Sequence, residues 1–266
     1  MTQRVTVSAT GEVDGDLDAV ARHLAGARHA VALTGAGISV ESGIPDFRSP
    51  GGLWSVFDPM EYATYSCFVR SPEKSWDLFR AIGEKLLGAK PNPAHDALAR
   101  LEEAGHLAGI VTQNIDGLHQ AAGSRRVLEI HGNHDDLHCP RCGHVEPMLR
   151  SHLEPGPVPK CPSCDGALKP TVVLFEEPVR DLDSIHDILA TCDLLLAIGT
   201  SAEVAPSSLF PAQVGARGGR VIEINLEPTM LTMNLDAWDG ALLQGPASVT
   251  VPLIVDRALS ASGGRS

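Results

Sequence analysis

Aromatic side chains are scarce in this chain: two tyrosines, three tryptophans and six phenylalanines, 4% of 266 residues. A core with so few rings has to be filled by Val, Leu, Ile and Ala, and a hydrophobic content of 43% supplies them. Basic charge is short as well. Twenty-one Lys and Arg stand against thirty-three Asp and Glu, a formal net charge of −12, which argues against the basic face a nucleic-acid footprint needs. The same balance suits a soluble protein that meets a basic partner. No apolar run approaches the ~20 residues of a membrane-spanning helix; residues 194–198 are among the longest. Residues 1–20 carry acids and lack the apolar centre of a secretory signal. The expectation is a cytoplasmic protein with no membrane or nucleic-acid partner and, by default, a monomer.

What the sequence does contain is alternation. Leu17, Val20, Ala21 and Leu24 recur at helical spacing and predict a helix ending near Gly26. The polar text before it reads as an extended or loose arm. Short apolar runs at 30–33, 107–112, 127–130, 171–175, 193–198 and 221–224 read as strands. Helical text lies between them at 96–104 and 183–191, with a last helix at 249–259 and a patchily helical stretch at 57–87. In that stretch Trp76, Phe79, Ile82 and Leu86 share one stripe. Strands alternating with helices predict an α/β fold with a doubly wound, Rossmann-like parallel sheet.

In such sheets ligands sit beyond the carboxyl ends of the strands. That rule gathers Gly35, Ala36 and Gly37, then Gln113, Asn114, Ile115 and Asp116, then His131, Gly199, Thr200, Ser201, Asn225, Leu226 and Glu227 at one rim. The glycine turn after the first run allows close backbone approach, and a helix start there would offer N–H groups to a phosphate. The fingerprint G-x-G-x-x-G is half met, because Val40 stands where its third glycine belongs. A glycine turn of a plain α/β protein is the alternative. Two amides and a carboxylate at Gln113, Asn114 and Asp116 supply directional hydrogen bonds to a ribose or a carboxamide, or else form an Asx-rich turn. His131 titrates near neutrality, as a general base must, and the glycine after it lets a substrate come near.

Cys139-x-x-Cys142 and Cys161-x-x-Cys164, with eighteen residues between the pairs, fall within zinc-ribbon spacing. Four thiolates close a tetrahedral shell that leaves no position for water, so the expected zinc is structural. Free thiols and an iron–sulfur centre are the alternatives. Cys67 and Cys192 stand alone.

Residues 35–39, GAGIS, followed by GIPDFR at 43–48 and TQNIDGLH at 112–119, resemble the sirtuins, the NAD-dependent protein lysine deacylases. The likeness covers roughly 17–259. It implies a Rossmann-like NAD-binding domain from 1–48, 92–131 and 171–266, and a smaller domain from a helical module at 49–91 and a zinc ribbon at 132–170. It also implies transfer of an acyl group from lysine to ADP-ribose with release of nicotinamide, His131 acting as base toward a ribose hydroxyl and no metal taking part. Asn114 and Asp116 would hold the nicotinamide ribose and carboxamide, and Gln113 the ribose. Ala36, Asp46, Phe47 and Arg48 would line the dinucleotide channel. Thr200, Ser201 and Asn225 would meet the phosphates and the adenosine ribose, and Ala247 the adenine. Two further outcomes share these residues: ADP-ribosyl transfer to protein, and a catalytically silent NAD-sensing module.

Two departures from the family pattern carry expectations of their own. The family's F-G-E segment, which the resemblance places against the substrate peptide and acyl-lysine, here includes Val173, Phe175 and Glu176, with glutamate replacing the glycine. If that position requires φ > 0, glutamate costs on the order of 1 kcal/mol or more. Phe79 and Ile82 stand where members that prefer succinyl groups carry Tyr and Arg, so a neutral acyl group is expected.

Overall fold

The computed structural model describes residues 2–46 and 52–262. Strands β1 (Gln3–Val7), β2 (Val13–Asp14), β3 (Ala30–Thr34), β4 (Gly109–Thr112) and β5 (Val127–Glu129) enter one large sheet. Strands β6 (Asp136–His138), β7 (Val145–Pro147) and β8 (Lys169–Pro170) form a separate antiparallel sheet, ordered β7-β6-β8. The large sheet is completed by β9 (Leu194–Ile198), β10 (Arg220–Asn225) and β11 (Ala241–Gln244), and its order is β2-β1-β11-β10-β9-β3-β4-β5. Every neighbouring pair in it is parallel except β1 and β2.

Side-chain alternation along the central strands makes two cores. Ala30, Ala32, Leu194, Leu196, Ile222 and Ile224 face the helices Leu17–Gly26, Pro93–Glu103 and Ala247–Ser262. Val31, Leu33, Leu195, Ala197 and Val221 face the helices Leu182–Ala190 and Phe210–Ala216. Burial on both sides is why these strands read as continuous apolar runs. Each buried Leu or Ile contributes about 2 kcal/mol of transfer free energy. The strand sequence reverses between β3 and β9, which opens a crevice at their carboxyl ends.

Four segments depart from the sequence reading. The arm before Leu17 is not loose: β1 runs parallel to β11 and buries Val5 and Val7, a two-residue alternation too short to stand out in polar text. Residues 171–175 make no ladder strand; only Phe175 is bridged, to Thr64. The strand β11 and the helix Phe210–Ala216 add to the elements read from the sequence.

The helical stretch resolves into Pro59–Tyr62, Tyr65–Arg70 and Pro72–Leu86. Asp58 and Thr64 cap the first two, and Pro59 and Pro72 occupy first-turn positions where no N–H is missed. The stripe on the third helix splits between two cores. Trp76 and Phe79 pack with Phe68, Leu137 and Leu168 beside the small sheet, and Trp76 Nε1 donates to the Leu168 carbonyl at 2.8 Å. Ile82 instead joins Leu53, Leu78 and Ile115. Among the described residues no helix is long and apolar enough to cross a membrane.

Candidate active site

The crevice begins where glycine backbones interlock. Gly37 N–H donates to the Gly199 carbonyl at 2.9 Å, and a Cβ on Gly35 would stand 2.7 Å from that same oxygen. Gly199 has φ +58°, and its own Cβ would lie 2.3 Å from the Ile38 nitrogen. Close approach of the two turns therefore requires glycine at these positions. The segment after Gly35 is a 3-10 turn, Ala36–Ser42. The N–H groups of Gly35 and Gly37 are engaged within the protein, by the carbonyls of Ile198 and Gly199. Those of Ala36, Thr200 and Ser201 have no partner among the described residues.

From this turn a run of hydrogen bonds crosses the strand ends. His131 Nδ1 lies 2.9 Å from the Gln113 carbonyl, Gln113 Nε2 donates to Thr200 Oγ at 2.9 Å, and Asn225 Nδ2 donates to the Thr200 carbonyl at 3.2 Å. Residues far apart in the chain are thus joined side to side. Asn225 is set from behind by Glu223, wholly buried in β10, whose carboxylate also takes Thr229 N–H and the hydroxyls of Thr229 and Thr232.

A second cluster lies beneath Asn114 and Asp116. Ser39 Oγ donates to Asp116 Oδ2 at 2.7 Å and accepts from Asn114 Nδ2 at 3.1 Å, and His95 Nε2 lies 3.4 Å away. His95 Nδ1 accepts the Asn92 N–H at 3.2 Å, which leaves the proton on Nε2, facing the serine. Sequence reasoning missed Ser39 and His95. The signal for the histidine was the Asn92-Pro93 helix entry, since His95 closes a capping box there. The His119 ring packs against His95, tilted 58° to it with centroids 4.9 Å apart, and its Nε2 lies 2.9 Å from Thr34 Oγ. Burial, with His95 nearby, holds the His119 pKa down at about 3.

His131 is the base candidate on geometric grounds. A carbonyl only accepts, so Nδ1 carries the hydrogen and Nε2 keeps its lone pair. Burial lowers its pKa below the ordinary histidine value, and the Gln113 carbonyl opposes that shift. Gly132 answers a structural need: it has φ +71°, and a Cβ there would stand 2.1 Å from the Thr171 carbonyl.

Beside Asn114, Ile115 and Asp116 a narrow cleft is walled by Ile44, Leu53, Ile82 and Leu86, with Lys85 also lining it. Phe79 points elsewhere, into the core with Trp76. Leu226 and Glu227 are exposed beyond β10, and Ala247 is buried at the start of the last helix. None of these three joins the hydrogen-bonded run by a side chain. Asp46 is partly buried at the edge of the described chain, whereas Phe47 and Arg48 lie outside the described residues.

The four cysteine sulfurs of Cys139, Cys142, Cys161 and Cys164 lie within 4.8 Å of one another. Two pairs, Cys139–Cys164 and Cys142–Cys161, are each 3.5 Å apart, far beyond the ~2.05 Å of a disulfide. Tetrahedral Zn–S bonds of ~2.3 Å put sulfurs about 3.8 Å apart, so the cage fits zinc. A Cβ on Gly166 would crowd two of the sulfurs at 3.3 Å. The shell is closed and has no catalytic position.

This strand order, with polar side chains converging at its switch point, defines the dinucleotide-binding class of α/β proteins. Within that class the sequence model of the Sir2 family matches residues 35–206, and the chain belongs to the Sir2 family. It is 44% identical, over 88% of its length and 90% of the relative's, to an NAD-dependent protein deacetylase of Caldivirga maquilingensis. Among solved structures it resembles a Sir2 homolog–NAD complex at 38% identity and a TM-score of 0.85, covering 92% of this chain and 94% of that one. It also resembles a Sir2 protein bound to a myristoylated histone peptide, at 35% identity and TM-score 0.78, covering 94% and 99%.

Proposed function

We propose that this chain is an NAD-dependent protein lysine deacylase that removes acetyl and other neutral acyl groups in a reducing cytoplasm. The observation that carries the reading is His131. It is a half-buried imidazole with one nitrogen fixed on the Gln113 carbonyl and the other without a partner among the described residues, at the strand-end rim that also holds Asn114 and Asp116. A base so placed serves group transfer, whereas a module that only senses a nucleotide has no use for one.

NAD as co-substrate supplies an activated ribose with nicotinamide as leaving group. The chain's residues bind and orient. Asn114 and Asp116, locked by Ser39, present an amide and a carboxylate to the nicotinamide riboside. The N–H groups of Ala36, Thr200 and Ser201, without partners among the described residues, suit the phosphates, and Asn225 the distal ribose. His131 Nε2 takes a proton from a ribose hydroxyl. Zinc, held by the four cysteines, keeps the small sheet folded. Val173, Phe175 and Glu176 border the peptide. Phe79 and Ile82, both buried, offer neither a hydroxyl nor a cation to a charged acyl group, which favours an uncharged one.

Mass spectrometry after incubation with NAD and an acetyl-lysine peptide tests this. Free peptide plus O-acetyl-ADP-ribose supports the reading. Peptide gaining ADP-ribose would make the chain an ADP-ribosyltransferase, and no change with NAD bound would make it a sensor. Succinyl peptide turned over faster than acetyl would overturn the acyl preference.

A further inference from the structure

Residues 172–176 leave the small sheet with Val172 packed against the cluster of Leu53, Ile82 and Ile115, and several of their backbone groups are unbonded among the described residues. The N–H groups of Val172 and Glu176 and the carbonyl of Val173 have no partner among the described residues. Phe175 is a large apolar side chain left 42% exposed. A bare, extended, apolar segment of this kind is a template for strand addition by a peptide.

Glu176 is held at φ +76°, in the region where glycine is at ease and other side chains are strained. Its two carboxylate oxygens are both engaged: Oε2 accepts Ser66 N–H at 2.9 Å and Oε1 accepts Ser66 Oγ–H at 3.1 Å. Next to it, Phe175 N–H donates to the Ala63 carbonyl at 2.9 Å and Tyr65 N–H to the Phe175 carbonyl at 3.0 Å. Residues 175–176 are thus fastened to 63–66 by backbone and side chain together. A glycine at 176 keeps the Phe175 bonds and loses the carboxylate bonds.

We propose that Glu176 is a positioning residue for the peptide, a latch that fixes the bare segment 172–176 against the start of the helix Tyr65–Arg70. This rests on the deacylase reading and on that segment as the peptide's edge. A segment fixed before binding loses less freedom when the peptide arrives, so the latch acts on peptide affinity rather than on chemistry. The backbone strain stands as a local cost offset by the Ser66 bonds. The helix that follows, Pro72–Leu86, carries Ile82 into the cleft wall, so the latch holds peptide edge and cleft wall in one register.

The test compares wild type with Glu176→Gly, Glu176→Gln and Ser66→Ala. For Glu176→Gly we expect the acetyl-peptide KM to rise about five- to tenfold, with kcat within about twofold and the KM for NAD unchanged. Ser66→Ala falls between, because it keeps the bond from the residue-66 N–H alone, and Glu176→Gln stays near wild type, because its amide oxygen accepts the Ser66 N–H while its NH2 donates to Ser66 Oγ. Adding Ser66→Ala to Glu176→Gly changes nothing more. Amide hydrogen exchange of the substrate-free proteins gives a second readout: residues 63–67 and 172–176 exchange faster in Glu176→Gly. Unchanged exchange overturns the latch, and faster exchange with unchanged peptide KM overturns its positioning role. A wild-type chain that turns over no acyl-peptide defeats the deacylase reading, while the exchange comparison still decides the latch.

Discussion

Lys169 Nζ lies 3.0 Å from Glu177 Oε2, with the two side chains only 1% and 18% exposed. The same carboxylate oxygen accepts Leu174 N–H at 2.8 Å, and the ammonium also donates to the carbonyls of Val172, at 2.6 Å, and Pro170, at 3.2 Å. Burial pulls the lysine's pKa down and the glutamate beside it pushes it back up. The pair closes residues 169–177 into a loop and sets the course of the segment read here as the peptide edge.

Removing one partner strands the other. Lys169→Met leaves Glu177 charged and three acceptors without their donor, which is expected to destabilise the protein by about 3 kcal/mol. Lys169→Met with Glu177→Gln recovers part of that loss, because no unpaired charge remains. Urea unfolding of the two variants checks this, with the double variant more stable than the single one as the decisive sign.

Ser39 is the hinge of the second buried cluster. In Ser39→Ala, Asn114 Nδ2 keeps only its long contact to the Gly35 carbonyl, at 3.2 Å, and Asp116 Oδ2 loses its donor. Each loss at a buried polar group is worth ~1–3 kcal/mol. The expected result is a 10- to 100-fold fall in kcat/KM for NAD, about 1.4–2.8 kcal/mol, with the peptide KM little changed. Steady-state kinetics with NAD varied at saturating peptide decides it.

How far the sequence carried the reading varies with the physics. Central strands such as β3 and β9 were legible because burial on both faces demands unbroken apolar runs. The rim was legible because strand ends are where polar motifs collect, and the cysteine pairs because spacing alone specifies a cage. The edge strand β1 was hidden, since Val5 and Val7 are buried only once β1 pairs with β11, where Val5 stands opposite Leu243, 238 residues further along the chain. Residues 171–175 looked like a strand and became a loop because their backbone bonds go to scattered partners, among them Asp136, His131, Lys169, Glu177 and Ala63, rather than to one ladder. Ser39 and His95 carried no periodic signal at all; their importance lies in one contact across 56 positions. At Glu176, the conditional cost read from the sequence meets a positive φ in the structure.

The buried histidines set the acid limits. His119 and His134 have pKa values pulled down by burial from 6.5 to about 3 and about 4. Between those values and 6.5 the unfolded chain binds protons that the folded chain refuses. Stability is therefore full above pH 6.5 and falls as the pH drops toward 4, by up to about 1.4 kcal/mol per pH unit for each histidine. For His131 the direction is the same, so the acid limb of kcat/KM for deacylation is expected below pH 6.5. Urea denaturation from pH 7 to 4.5 and a pH–rate profile over the same span measure the two; an acid limb at or above 6.5 counts against His131 as the free base.

The cysteine cage offers a last separation of structure from chemistry. Cys139 and Cys161 are themselves part of the apolar cluster that encloses Trp76, Phe79 and Leu168, so losing the metal loosens the packing around a wholly buried tryptophan. A strong chelator is expected to lower the melting temperature, to shift tryptophan emission to the red and to abolish deacylation, because the small sheet no longer supports the loop held by Lys169. Those effects alone do not distinguish a structural ion from a catalytic one. Replacement by Co(II) does: four thiolates give tetrahedral Co(II) absorption, and a closed shell predicts a kcat within about twofold of the zinc protein's, because a structural ion polarises no substrate. A large change in kcat on that exchange, with folding intact, would mean that the ion takes part in the reaction.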